Sequence, residues 1–265
     1  MRRVIFNRKG GVGKSSITCN LAALSAHRGR KTLVIDLDPQ GNSTRYLLGE
    51  AARDVEADLA DFFEQFLSVR LFPEAPTTFV TPTPFPHLHV MASAPALADL
   101  EGKLEAKYKI FKLRDALEDL GETYTDIYID TPPAFNFYTR SALIAAQTCL
   151  IPFDCDDFSR QALYTLLDDV TELRTDHNPN LTVEGIIVNE FIARARLPQR
   201  LVADLEEEGL PLLTAHLSSS VKMRESHQQA TPLIYLAPRH KLTGEYVALF
   251  EELEARMARP AGRRG

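Results

Sequence analysis

A doubly wound α/β fold, with a mostly parallel twisted sheet and helices on both faces, is predicted by three features of the sequence. Short apolar runs of strand type alternate with longer helical patterns, as a parallel sheet joined by helical crossovers requires. A glycine-rich loop sits between the first such run and the first helical pattern. The chain, 265 residues with 45% hydrophobic and 25% charged, is long enough to bury one sizeable core. We read one domain over residues 1–257 and a disordered basic tail over 258–265, where Arg, Gly and Pro occur without an apolar face.

In chain order the expected strands are 3–7, 31–36, 87–91, 126–130, 148–153, 183–189, 212–214 and 233–235. The expected helices lie near 15–28, 96–120, 136–146, 159–176, 198–208 and 242–257. Gly29 falls where a helix C-terminus takes a residue at positive φ, directly before the second strand, which supports a first strand–helix–strand unit. Between 72 and 86, five prolines stand among threonines and phenylalanines. Their missing amide donors and fixed φ argue against a continuous helix or central strand, so a surface excursion is expected there. The sequence has no internal repeat.

No apolar run approaches the roughly 18 residues needed to cross a bilayer, and the first residues enter a strand instead of forming a signal peptide. A cytoplasmic location without membrane insertion is therefore expected. Cys19, Cys149 and Cys155 form no CxxC pair, so free buried thiols are expected rather than a disulfide framework or a thiolate metal site. The net charge of -6 argues against a wholly basic nucleic-acid coat, but a local basic patch on an acidic chain can still hold phosphates.

Three segments carry chemistry. Lys9-Gly10-Gly11-Val12-Gly13-Lys14-Ser15-Ser16 lies between a strand and a helix, the setting of a phosphate loop. Glycines let backbone amides turn around phosphate oxygens, Lys14 can reach the β and γ phosphates, and the Ser15 hydroxyl can ligate magnesium at the helix N-terminus. A strand ending at Asp36 leads into Leu37-Asp38-Pro39-Gln40-Gly41-Asn42-Ser43-Thr44, which places two carboxylates at a strand end. The apolar run Ile127-Tyr128-Ile129 ends in Asp130-Thr131-Pro132-Pro133. An apolar run closing on an aspartate is a weak signal alone and a strong one behind the other two motifs.

The place five residues before Gly13, glycine in the usual phosphate loop, holds Arg8. With Lys9-Gly10-Gly11 followed by Gly13-Lys14-Ser15, the loop is similar to the deviant Walker A sequence of the ParA/MinD family of P-loop ATPases. Asn7-Arg8 before Lys9 resembles the Asn-Gln of its ParA (Soj-like) branch. The two aspartate segments resemble that family's second motif and its Walker B strand. Further similarity at 148–157 and 221–232 extends the resemblance over most of the chain, with 50–85 and 190–215 only loosely alike.

The resemblance implies a P-loop NTPase fold and a slow ATP hydrolase using ATP and Mg2+. It places phosphate binding on Gly10, Gly11, Val12, Gly13, Lys14, Ser15 and Ser16. Lys9 would cross a homodimer formed in the ATP state to reach the partner subunit's phosphates, acting in catalysis with Lys14 and with Asp38, which positions the attacking water. Ser15, Asp36 and Asp130 would serve the metal. Asn189, at the end of an apolar strand where open α/β sheets bind ligands, is a candidate to hydrogen-bond adenine. The resemblance also implies that the ATP dimer holds non-specific DNA, and so associates with the nucleoid. It would position a chromosome, plasmid or protein complex with a ParB-like or other partner that stimulates hydrolysis. Arg194, Arg196, Arg200, Lys222 and Arg224 are the candidates for DNA contact. Leu217-Ser218-Ser219-Ser220 stands where the family has Ile-Pro-Arg-Asn, which removes one arginine.

Other readings are a MinD-like ATPase that grips membrane, a relative acting through protein partners alone, and an iron–sulfur protein on the same fold. The first needs an apolar face on the last helix, but Leu249, Phe250 and Leu253 are expected in the core. The last lacks a convincing cysteine arrangement. His87 and His89 are expected on one strand face without a third metal ligand, and Asp154, Asp156 and Asp157 in a loop and helix start beside the nucleotide pocket.

Overall fold

The computed structural model describes residues 1–68, 72–154, 159–192 and 195–258. Among these, the chain runs β1 (Arg2–Ile5), α1 (Lys14–His27), β2 (Thr32–Asp36), α2 (Asn42–Leu48), α3 (Leu59–Glu64), β3 (Thr81–Pro82) and β4 (Leu88–Met91). It continues through α4 (Leu97–Ala106), α5 (Lys112–Leu120), β5 (Asp126–Asp130), α6 (Phe137–Ala145), β6 (Thr148–Asp154), α7 (Ser159–Asp176) and β7 (Thr182–Asn189). The last elements are α8 (Arg196–Glu207), α9 (Val221–Gln228), α10 (Leu233–Leu236) and α11 (Lys241–Ala258).

The strands form one sheet in the order β3-β4-β2-β5-β1-β6-β7, parallel except for the β3–β4 pair. Strands covered on both faces read as unbroken apolar runs, and alternate residues serve alternate layers. Val4, Leu33, Ile35, Ile127 and Ile129 face one core. Ile5, Val34, Tyr128 and Leu150 face the other. In the second layer α1 is apolar on nearly every side, with Ile17, Cys19, Leu21, Ala22, Ala23, Leu24 and Ala26 all buried, the pattern of a core helix. Leu242, Tyr246, Leu249, Phe250 and Leu253 of α11 pack in the same layer, so the apolar face of the last helix is already covered. Among the described residues no helix is long and apolar enough to cross a membrane.

Strand β1 lies between β5 and β6, and the chain leaves it for β2 on one side and later returns on the other at β6. The loop after β1 therefore sits at the topological switch point, where such sheets open a crevice beyond the strand C-termini.

Several expectations are corrected. The helix over 96–120 is two helices, α4 and α5, because residues 105–108 are exposed and offer the core nothing, and Tyr108 turns the chain at φ +54° before Ile110 and Phe111 pack against the core again. Residues 212–214 make only a single parallel bridge, Ile186 to Leu212. Residues 233–235 are helical, within α10, which starts after Pro232. The 72–86 excursion is anchored by buried Phe79, packed on Phe62 at 5.5 Å, and adds the edge strand β3, where Pro82 needs no ladder partner. His87 precedes β4 at φ +65°, so it shares no strand face with His89, which packs edge-on against Tyr124. Helices α2, α3 and α9 add to the expected set. Cys19 and Cys149 are buried and free, whereas Cys155, Asp156, Asp157, Arg194 and residues 259–265 lie outside the described residues.

Candidate active site

Asn7 shapes the start of the phosphate loop, its Nδ2 donating to the Pro152 carbonyl at 2.7 Å while its Oδ1 accepts from the Lys9 amide at 2.8 Å. Gly13 has φ +87°, and a Cβ there would lie 2.4 Å from Asn189 Nδ2, so this place requires glycine. Asn189 also donates to the Val12 carbonyl at 3.0 Å. The last residue of β7 thus braces the loop from behind, and α1 begins directly after Gly13 with its first-turn amides free for an anion.

The loop walls a cavity of about 310 Å³, lined by Gly10, Gly11, Gly13, Lys14, Ser15 and Ser16 together with Asp38, Gln40, Asn42, Pro133 and His227. Val12 is buried and does not line it. An adjoining cavity of about 160 Å³ shares Gly11, Gly13 and Ser16 and is lined further by Asn189, Glu190, the serines 218–220, Met223, Arg224, Leu242 and Tyr246. Asn189 therefore borders the loop and the second cavity at once.

Asp36, Asp38, Asp130 and Lys14 are all buried at the strand ends. Asp36 does not line the cavity. Its Oδ2 accepts from the Thr44 amide at 2.7 Å and the Thr44 hydroxyl at 2.8 Å, and its Oδ1 accepts from the Asp38 amide at 3.3 Å, so it fixes the start of α2 and the backbone of Asp38. Asp130 Oδ2 accepts from Ser43 Oγ at 2.6 Å, while its buried Oδ1 has no hydrogen-bond partner. Burial, then the neighbouring Asp130 carboxylate, pushes the Asp36 carboxyl well above the ordinary carboxylate range. Burial pushes Asp130 up as well, against the Ser15 and Ser43 hydroxyls and the Lys14 ammonium. Lys14 is pushed down by burial, against the pull of Asp130 and Asp38, and its Nζ donates to the Lys9 carbonyl at 2.9 Å.

Three buried carboxylates against one ammonium, with one carboxylate oxygen lacking a partner, are a set that a cation fits. Among the described residues no group of three or more His, Cys, Asp or Glu could hold a metal by itself. Magnesium bound with phosphates needs no such cage, because one or two protein oxygens and the phosphates suffice. Ser15 lines the cavity, and Asp130, buried behind it, offers the unpartnered Oδ1.

Lys9 points elsewhere. Its half-exposed ammonium pairs with Asp154 at the end of β6, 2.9 Å away. Arg8, in the place of the usual glycine, pairs with Asp169 of α7 at 2.6 Å and lies over the Phe135 ring at 5.0 Å. Of the basic candidates, Arg196 and Arg200 are exposed on α8, Arg224 is exposed on α9 and borders the second cavity, and Lys222 pairs with Glu225.

The site also contains groups that sequence reasoning left without a role. Ser43 and Thr44 stand inside a recognised motif, but only the fold shows which carboxylates they hold. His227 lies within the family-like segment 221–232 without a role that the sequence assigns, and it meets the loop from 211 residues away.

A family model described as an AAA domain matches residues 3–183. The chromosome partitioning protein ParA of Myxococcus xanthus is 32% identical over 254 residues, which cover 95% of this chain and 87% of that protein. Among solved structures, the chain is similar to an ATP complex of a Cyanothece McdA variant, with TM-score 0.83, 20% identity and coverage of 100% and 99% of the two chains. It is also similar to cobyrinic acid a,c-diamide synthase from Mycobacterium smegmatis with bound ATP analogue and magnesium, with TM-score 0.81, 21% identity and coverage of 100% and 97%. These two likenesses establish the fold, which by itself does not fix an activity.

Proposed function

The chain belongs to the ParA/MinD family of deviant Walker A P-loop ATPases, and from that membership we propose that it hydrolyses ATP with magnesium as a DNA-held positioning switch. In this reading ATP closes a homodimer, the dimer holds non-specific DNA, and a ParB-like or other partner stimulates otherwise slow hydrolysis. The cargo is a chromosome, plasmid or protein complex. The observation that carries the reading is the meeting of Lys14, Ser15 and Asp38 in one cavity, with Asp130 buried behind it and Lys9 paired to Asp154 at the end of β6.

Magnesium, when bound, would supply positive charge beside the phosphates, and Ser15 and Asp130 are the residues that would hold it. Loop amides and Lys14 take the phosphate oxygens, and Asn189, which borders the second cavity, hydrogen-bonds the adenine. Asp38, whose Oδ1 is steadied by the Gln40 amide at 3.0 Å, orients the attacking water. Lys9 exchanges Asp154 for the phosphates of the partner subunit, so its charge arrives only in the dimer, in the manner of an arginine finger. Arg194, Arg196, Arg200, Lys222 and Arg224 contact DNA phosphates, whose neutralisation makes binding steeply salt-dependent.

The test is binding to non-specific duplex DNA with ATP, with ADP and without nucleotide, using Asp38→Ala to trap the unhydrolysed dimer and anionic liposomes as a comparison. We expect DNA binding that requires ATP, persists in Asp38→Ala and weakens with salt. Liposome binding without DNA binding would replace this reading with a membrane-associated one, and binding to neither would leave a switch acting on protein partners alone.

A further inference from the structure

The wall facing the phosphate loop carries an imidazole that the mechanism above does not use. His227 of α9 lines the cavity with Lys14, Ser15 and Asp38, and its Nε2 lies 2.7 Å from Ser16 Oγ. Its ring stacks on Tyr46 of α2, with centroids 4.1 Å apart and 23° between planes. Tyr46 cannot swing away, because it is buried and its hydroxyl accepts from Asn20 Nδ2 at 3.1 Å and bonds Ser226, the neighbour of His227. Residues of α1, α2 and α9 thus hold one imidazole in one orientation against one hydroxyl.

A serine hydroxyl has a single proton on a free rotor. Within a helix it readily turns back to the carbonyl four residues earlier, as Thr18 of the same helix does to the Lys14 carbonyl at 2.9 Å. A hydroxyl turned back in this way presents no donor to a ligand. An N–H donated to the oxygen from the other side leaves the proton free to face the cavity, and His227 Nε2 lies at the distance of such a donor in the tautomer that carries its proton there. Burial also lowers the imidazole's affinity for a second proton, which favours the neutral ring.

We propose that His227 is a positioning residue for nucleotide binding: its Nε2–H donates to Ser16 Oγ and turns the Ser16 hydroxyl toward a phosphate oxygen in the cavity. The proposal rests on the reading of that cavity as the nucleotide site. It adds to the phosphate loop a residue from α9, the helix that also carries Lys222 and Arg224.

The test is ATP and ADP affinity, by calorimetry with magnesium, for the full chain, H227F, H227Q, S16A and the double variant H227F/S16A, with thermal melting of each. Phenylalanine keeps the stack on Tyr46 and loses the donor, and it should weaken binding about tenfold. Glutamine, whose amide nitrogen reaches the place of Nε2, should restore affinity to within about threefold. S16A should cost about as much as H227F, and H227F should cost nothing further in the S16A background. Full affinity in H227F, equal losses in H227F and H227Q, or losses that multiply in the double variant would each overturn the role of His227. Failure of the unmodified chain to bind either nucleotide would instead overturn the reading of the cavity, and the proposal with it.

Discussion

The two ends of the same sheet bury charge in opposite ways. At the N-terminal ends of the strands, Arg3 is buried with both Nε and Nη2 donating to Glu184, at 2.9 and 3.0 Å, and with Asp126 3.9 Å away. Asp126 accepts from Ser25 at 2.7 Å and pairs with Arg30 at 3.2 Å, Glu184 accepts from Thr148 at 2.6 Å, and Arg30 also pairs with Glu254. Burial opposes the Arg3 charge, but Tyr128, Glu184 and Asp126 more than restore it and hold its pKa above the ordinary value. At the C-terminal ends, Asp36, Asp38 and Asp130 face a single buried ammonium, and the Asp130 Oδ1 has no partner. Burial alone therefore does not distinguish structure from function. The distinction lies in the balance of charge: the first end sets two arginines against its carboxylates, although Glu254 Oε1 also lacks a partner, whereas the second sets three carboxylates against one ammonium and so requires something brought to it.

That contrast predicts opposite outcomes for substitutions of similar burial, and the largest belongs to the paired end. Arg3→Met keeps an apolar stem and leaves the Glu184 carboxylate with the Thr148 hydroxyl and no cation, so it should cost about 3–5 kcal/mol, read from denaturant unfolding of the nucleotide-free protein. A loss below about 1 kcal/mol would mean that the N-terminal network contributes no more than surface pairs do, and the comparison would fail. Nucleotide affinity should change little in whatever fraction remains folded, since no residue of that network lines either cavity.

At the other end, Asp130→Asn should do the reverse. Folding raises the Asp130 pKa, so ionisation of this carboxylate at neutral pH opposes folding, and a neutral amide of the same shape removes that opposition. The amide oxygen can still accept from Ser43. Unfolding without nucleotide should show stability unchanged or raised by about 1 kcal/mol, while magnesium-dependent ATP hydrolysis falls by roughly a hundredfold or more. A clear loss of stability would show that Asp130 is satisfied within the chain after all.

How far each end is legible in the sequence follows from how its parts are spaced. The phosphate loop, the Asp36–Asp38 turn and the Asp130 strand end are each contiguous, because a backbone cradle and a carboxylate at a strand end are local structures. Strand–helix alternation likewise announces the parallel sheet. Contacts made by single side chains across the fold leave no such trace: Arg3 meets Glu184 across 181 residues, and Ser16 meets His227 across 211. The break between α4 and α5 is equally hidden, since residues 105–108 fit a helical period and only their exposure shows that no core lies beneath them.

The smallest effect on stability, and the sharpest on activity, is expected at Lys9. Its pair with Asp154 is exposed on the lysine side, with side chains 45% and 28% exposed, so Lys9→Ala should cost less than about 1 kcal/mol in unfolding. On the proposed reading hydrolysis should nevertheless fall by about a thousandfold, because Lys9 is there the charge carried to the partner's phosphates. Asp38→Ala should be equally inactive, for want of the group that orients water. Mixing the two inactive variants distinguishes a lysine acting across the dimer from one acting in its own subunit. In a mixed dimer, the site built on the Lys9→Ala subunit keeps its own Asp38 and receives Lys9 from the partner. With half the dimers mixed and one of their two sites intact, about a quarter of the unmodified activity should return. If none returns, Lys9 acts within its own subunit and the Asp154 pair is part of the resting site, not a holding place the lysine leaves.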